Sequence, residues 1–521
     1  MDGAPESALL LKAWLPFVLA IVILGNSRLA AGNNHYAGRK LNDEIPGFIS
    51  IDCGATSDYL DEGTGLFYKS DTGFIDTGTN NYTSPECNSS NPDYGRLITN
   101  LRSFPNGTKN CYTLKPEQGK NKNYLIRAFF CYGNYDNKNE IPKFDVYVGV
   151  NYWATVEPSS VSNVVFPDII HVPSSDTIFV CLINTGFGIP FISALELRPL
   201  EKSLYSIDMG ALRFGWRYDM GTSRDKVFVR YKNDVYDRFW YTVNKFSNWV
   251  PINSSSSIDL QGNNNSYKPP TQVLRTAVQP PSYDQALRYE ANNTDEFSKC
   301  YVCFHFAEIA KLAQGKKREF IIAVNGRNYT SKPITLDRSE PLSMCLNQIF
   351  EGHFSFSINA TTGSDLPPIL NAFEVYRVFS PLYKPTYTGD VAAIMDIKQT
   401  NRISRDDWQG DPCAPQKFSW SGLTCNSDDT PRITSLNLSS SKLTGEIATS
   451  LSNLTALQYL LERGDTIQDM WLEDIWVLIP KFHSWEVLSV SKDRNIAAVS
   501  LAKLGSKFSQ TTVWLEVMKI S

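Results

Sequence analysis

The 521 residues are 42% apolar and 20% charged, with 28 Pro and 31 Gly, a formal net charge of −4 and a pI near 5.9. This balance excludes low-complexity disorder and coiled coil, and the lack of a basic surplus argues against a nucleic-acid binder or a polybasic membrane-surface protein. At roughly 150 residues per unit, the length fits about three globular units.

In chain order, the first feature is LLLKAWLPFVLAIVILG, from Leu9 to Gly25. Its uninterrupted apolar part, Ala13 to Leu24, is too short to cross about 30 Å of hydrocarbon but matches the core of a secretory leader. Small residues at Gly25, Ser27, Ala30 and Ala31 offer cleavage sites, so residues 1–31 read as a signal peptide, with an uncleaved anchor as the alternative. Asn-x-Ser/Thr sequons at Asn81, Asn88, Asn106, Asn253, Asn264, Asn292, Asn328, Asn359, Asn437 and Asn453 are glycosylation candidates. Leader and sequons together predict a secreted, extracellular glycoprotein. A membrane is expected only through an uncleaved leader or a longer relative.

Past the leader, short β-branched and aromatic blocks alternate with Pro, Gly and Asn clusters, the pattern of antiparallel strands. The blocks also repeat. FISIDCG at Phe48 matches LYSIDMG at Leu204, and YLIRAFF at Tyr124 parallels YVCFHFA at Tyr301. FDVYVGVN at Phe144 then parallels FIIAVN at Phe320, and ALEL at Ala194 parallels AFEV at Ala372. Four blocks in the same order predict two homologous units in tandem, residues 46–200 and 201–380.

The residues GFISIDCG at Gly47, LRSFPNGTKNCYTL at Leu101, YLIRAFFCYGNYD at Tyr124, RYKNDVYDRFW at Arg230 and PPILNAFEVYRV at Pro367 resemble the tandem malectin-like region of plant receptor-like kinases. The resemblance implies a mainly β fold, with two jelly-roll-type malectin-like β-sandwiches side by side. It also brings carbohydrate binding into consideration, because the animal founder of the family binds glucose-containing glycans. Sugar rings stack on aromatic faces, and Tyr59, Tyr68, Tyr94, Tyr132, Tyr135, Tyr231, Tyr236 and Trp240 are the ligand-binding candidates.

Residues 388–432 read as a linker helix, capped by Asp390 and ending near Asn401, followed by a GDPC cysteine cap. Cys413 and Cys425 are expected to form a local disulfide, worth about 3 kcal/mol in the loop-closure model. From Ile433 the leucine spacing is similar to a plant extracellular leucine-rich repeat, and the pattern restarts at Leu457, giving a short repeat fragment over residues 433–460. Residues 461–521 depart from that pattern, contain no Tyr or Cys, and read as an aberrant, poorly ordered tail.

No phosphate-cradling G-x-x-x-x-G-K-S/T, no G-x-S-x-G elbow and no kinase H-R-D or D-F-G element is present. No catalytic residue, metal or cofactor is therefore expected. His305 reads as strand packing, Asp52 and Asp208 as strand-end hydrogen-bond acceptors, and Lys316, Lys317 and Arg318 as a solvated turn. The predicted function is the extracellular recognition region of a malectin-like leucine-rich-repeat receptor-like Ser/Thr kinase, without membrane-spanning and kinase parts in this chain. Its expected partners are a cell-wall glycan or a secreted peptide, with a co-receptor ectodomain, and the full-length receptor would sit in the plasma membrane. A secreted wall-glycan lectin is the alternative, and a glycoside hydrolase acting through Asp52 and Asp208 is less favoured.

Overall fold

The computed structural model describes residues 45–206, 210–221, 227–243, 246, 248–254, 265–290, 299–337, 340–346, 350–351, 354–438, 441 and 448–461, with two short paired strands at Trp485–Val487 and Thr511–Val513. The leader, Asp208, Asn264, Asn292 and most of the 461–521 tail lie outside the described residues.

The described chain is mainly β, with few helices. One 14-stranded sheet runs through it. From one edge its main path is Tyr59–Leu60, Phe67–Ser70, Ile49–Asp52, Ala194–Leu200, Asn123–Cys131, Asp168–His171, Ala211–Met220, Ala372–Phe379, Lys299–Phe306 and Leu342–Cys345. The join is antiparallel, with Ile169 opposite Arg213 and Ile170 opposite Leu212, so backbone hydrogen bonds tie the earlier half of the chain to the later half.

Each half of this sheet shares an apolar core with a smaller sheet. In the first, Ile126, Ala128 and Phe130 meet Phe144, Val146 and Val148, from a four-stranded sheet ordered Lys109–Leu114, Ile178–Phe187, Lys143–Val148, Asn151–Val156. In the second, Val302, Phe304 and Phe306 meet Phe320, Ile322 and Val324. These triplets occupy matching strands and shift one of the sequence equivalences by a residue. Tyr124 belongs to the first core, whereas Tyr301 lies on the opposite face of its strand. Side chains alternate along a strand, so Ile126 corresponds to Val302, and a one-residue slip would have turned every core residue outward.

The Thr388–Thr400 helix starts two residues before Asp390. Asp390 is not its cap. Its carboxylate accepts from Arg432 at 2.9 and 3.0 Å and from the Ile433 amide at 2.9 Å, fastening the helix to the following strand. Cys413 and Cys425 are disulfide-bonded, around a stacked Trp408–Trp420 pair with centroids 4.8 Å apart. Ile433–Asn437 pairs in parallel with Tyr459–Leu461, bringing Ser435 opposite Tyr459.

The cysteines left unassigned by sequence pair as Cys87–Cys131, Cys111–Cys181 and Cys303–Cys345, while Cys53 and Cys300 are buried and not disulfide-bonded. The basic turn is only partly solvated. Lys316 and Lys317 are exposed, but Arg318 is buried and pairs with Glu308 at 2.8 Å, because its side chain points beneath the turn rather than out of it.

Candidate functional site

Two features invite a functional reading: a sealed polar seam on the large sheet and an open cleft beside the cap.

The seam lies on the sheet face opposite the two cores. Arg127, Arg198, Asp168, Glu196, Arg217 and Glu374 project from successive strands and are covered by the segment around Arg230–Trp240. Buried charges survive only when paired and hydrogen-bonded, and all of these but Asp168 are: its carboxylate has only the Arg127 and Arg217 guanidiniums, at 3.7 and 4.0 Å, and burial raises its pKa. The Glu196 carboxylate accepts from Arg127 at 2.8 Å, Arg230 at 2.9 Å and the Tyr68 hydroxyl at 2.5 Å. Asp237 accepts from Arg198 at 2.8 Å and from Arg230 at 2.8 and 2.7 Å. Glu374, at the position matching Glu196, accepts from Arg217 at 2.6 Å and His305 at 2.9 Å. Burial alone would raise the Asp237 and Glu374 carboxyls; the surrounding guanidiniums, joined by His305 at Glu374, outweigh it and hold both below the usual carboxylate range. Burial lowers the His305 pKa, leaving a neutral ring that donates from Nε2 to Glu374 and accepts at Nδ1 from Ser343, 2.6 Å away.

The seam and the first core absorb several ligand candidates. Tyr68, Tyr132 and Trp240 are fully buried and Tyr236 nearly so, and their faces are spent on protein contacts. Trp240 donates to Asp234 at 2.6 Å and Tyr236 donates to Glu201 at 3.0 Å. None offers a face for a sugar, because each ring is packed inside rather than on the rim. The other four are half-buried. Tyr59 stacks on Tyr68 under the Arg96 guanidinium, Tyr94 packs against Phe129 and Phe228, Tyr135 against Tyr132 and Phe191, and Tyr231 against Phe48. Asp52 accepts from the Tyr59 hydroxyl at 2.8 Å and Asn100 at 2.9 Å, and burial pushes its carboxyl up to about 6. Asn88, Asn106, Asn253, Asn328 and Asn453 are exposed, whereas Asn81, Asn359 and Asn437 are half-buried. The Asn81 amide nitrogen already donates to Ser103 at 2.9 Å.

The cleft arises from how the cap docks. Lys109, buried on the four-stranded sheet, donates to the Asp411 carbonyl at 3.1 Å and the Phe418 carbonyl at 2.7 Å. Burial lowers its pKa to about 8. Gln409 donates to Asp76 at 2.8 Å, and Tyr147 meets Phe418 edge to face. Chain 381–387 bridges the two bodies. At one end the Leu382 and Tyr383 amides donate to the Asn151 side-chain oxygen at 2.8 and 3.1 Å. At the other the Thr386 amide and hydroxyl donate to Asp411. Under this strap lies a cavity of about 360 Å³, walled by Val148, Val150, Ile169, Val172 and Phe379. A second hollow of about 620 Å³ shares Ser175, Thr177, Phe179, Thr388 and Val391 with it and follows the helix to Lys398 and Arg402. Sequence reading missed this site, because its residues come from six separate stretches of the chain; the only available signal was the Pro-Leu-Tyr-Lys-Pro run of the strap.

Among solved structures, the ANX2 ectodomain from Arabidopsis thaliana superposes with a TM-score of 0.52 at 17% identity, covering 64% of this chain and 97% of that one. The ANX1 ectodomain from the same plant gives 0.51 at 16%, covering 64% and 96%. At these identities the likeness is one of fold. An Arabidopsis thaliana protein named as a leucine-rich repeat receptor-like protein kinase, At2g19210, is 40% identical over 424 residues, covering 80% of this chain and 47% of the relative. Another, named as an LRR receptor-like serine/threonine-protein kinase, At1g05700, is 41% identical over 431 residues, covering 80% and 48%. The chain thus spans about half the length of the curated relatives it matches. Residues 51–378, which contain both cores and the polar seam, match the malectin-like domain, and on that match the chain belongs to the malectin-like family.

Proposed function

We propose that this chain is the extracellular recognition region of a malectin-like leucine-rich-repeat receptor-like Ser/Thr kinase, and that it acts by binding, not by catalysis. The observation that carries this reading is the cleft: an apolar-walled opening built between the docked cap and the first core, held open by a strap fastened at both ends. Binding sites of this kind are concave and largely preformed. The repeated core triplets support two tandem jelly-roll-type units, and the parallel pairing of Ser435 with Tyr459 supports a leucine-rich-repeat fragment behind the cysteine cap. In an intact receptor, occupancy of this region by a peptide or co-receptor would be relayed to a cytoplasmic kinase.

A hydrolase needs a carboxylate free to reach substrate. Asp52 is fully buried and committed to Tyr59 and Asn100. The glycan-lectin alternative loses the ring faces of Tyr68, Tyr132 and Trp240. The test is to present the glycosylated chain to wall-oligosaccharide arrays and to a panel of receptor ectodomains and secreted peptides. Saturable binding to a protein or peptide with no glycoside turnover is expected; hydrolysis abolished by Asp52→Asn would refute it.

A further inference from the structure

The charges around the joined hollows are lopsided. Lys115, Lys398 and Arg402 line the larger one, and no Asp or Glu side chain lines it among the described residues. The chain as a whole has a formal charge of −4, so this concentration of positive charge is local. Lys398 is partly neutralised by Asp76 at 3.5 Å, and its ammonium donates to the Trp408 carbonyl. Lys115 and Arg402 are exposed and meet no carboxylate among the described residues. In the adjoining hollow, Lys384 pairs outward with Asp429 at 2.7 Å, and the Asp411 carboxylate is consumed by Thr386, Cys413 and Ala414. Apolar side chains crowd the mouth of the same hollow: Val172 is 42% exposed, Tyr383 49% and the neighbouring Leu382 75%. Exposed apolar groups next to an apolar cavity are the composition of an interface rather than of ordinary surface.

We propose that the joined hollows seat an acidic peptide segment of a partner protein, with one apolar anchor side chain in the cavity under the strap and carboxylates facing Lys115 and Arg402. The proposal rests on the recognition reading above and adds the chemistry of the partner. Opposite charge steers encounter and fixes orientation, while the buried apolar anchor supplies most of the affinity.

The probe is a fluorescein-labelled decapeptide of alternating Asp and Glu with one central Phe, set against a counterpart in which every acid is Lys. Anisotropy titrations of the full chain should show binding of the acidic peptide only, weakening as salt rises. Lys115→Glu with Arg402→Glu should weaken it about tenfold or more, Phe→Ser in the peptide should weaken it comparably, and Lys138→Glu, exposed and lining neither hollow, should leave it within about twofold. Equal binding of both peptides, no binding of either, or indifference to the Lys115/Arg402 pair would overturn the proposal. The recognition reading would survive if a protein ligand from the panel above still bound with the Lys115/Arg402 variant at full affinity.

Discussion

At the scale of single residues, the most consequential groups are carboxylates that the chain buries on purpose. Asp237 receives Arg198 and Arg230 together, so Asp237→Asn leaves two guanidiniums under-neutralised in the interior. Breaking one partner of such a network costs about 3–5 kcal/mol. Urea unfolding should show that loss; a change below about 1 kcal/mol, the worth of a surface pair, would mean the seam is dispensable. The same carboxylates predict a pH profile. Asp237 and Glu374 are held below their unfolded values, so the stability they contribute is present above the unfolded carboxylate range and is lost as pH falls through it and below. Asp52 runs the other way, raised from 3.8 to about 6 by burial, so its ionisation opposes folding above that pH and the penalty is relieved as pH falls toward 4. At about 1.4 kcal/mol per pKa unit, relief is at most about 3 kcal/mol. Stability measured across pH should therefore peak near about 4 and decline toward about 6, and Asp52→Asn should flatten that declining limb. A limb that keeps its slope in Asp52→Asn would assign it to another group.

At the scale of elements, the cap and the strap decide whether the cleft exists. Gly410 sits at φ +64°, and a Cβ there would lie 2.7 Å from the Cys111 sulfur and 2.9 Å from the Cys181 sulfur. Gly410→Ala thus adds strain to a left-handed backbone and pushes the cap off the disulfide it rests on. A loss of about 1–3 kcal/mol is expected, with faster amide exchange across 408–420; unchanged exchange would show that the cap does not depend on that contact. Asn151→Ala removes the acceptor for the Leu382 and Tyr383 amides. Limited proteolysis should then cut 381–387 sooner while the two cores keep their thermal transition, and a strap as resistant as before would mean that Asp411 alone holds it.

Elements were also where the sequence spoke most clearly, and where its silence had a cause. Alternating apolar residues such as Phe144, Val146 and Val148 announce a strand with one buried face, and Cys413 and Cys425 are close enough in sequence to suggest a local pair. Arg127, Arg198 and Glu196 lie in equally clear strands, yet a charged residue in an alternating pattern reads as solvent-facing. Here the other face is buried under Arg230–Trp240, a relation that no local pattern encodes. The burial of Tyr68, Tyr132 and Trp240 was hidden for the same reason, since composition reports how many rings exist but not which side of a sheet they occupy.

At the scale of the whole molecule, the large sheet makes the two cores one continuous body, and the polar seam locks its outer face with charges that cancel locally. A body built in this way is suited to presenting a preformed surface. The cleft between the first core and the cap is the place where that surface is concave, apolar and fringed by cations. The most direct test is amide exchange by mass spectrometry on the full chain, with and without a bound protein or peptide ligand. Protection concentrated in residues 171–179, 381–392 and 398–403 is the predicted result. Protection that instead falls around Tyr59 and Tyr231, with those three segments unchanged, would contradict the cleft as the recognition site.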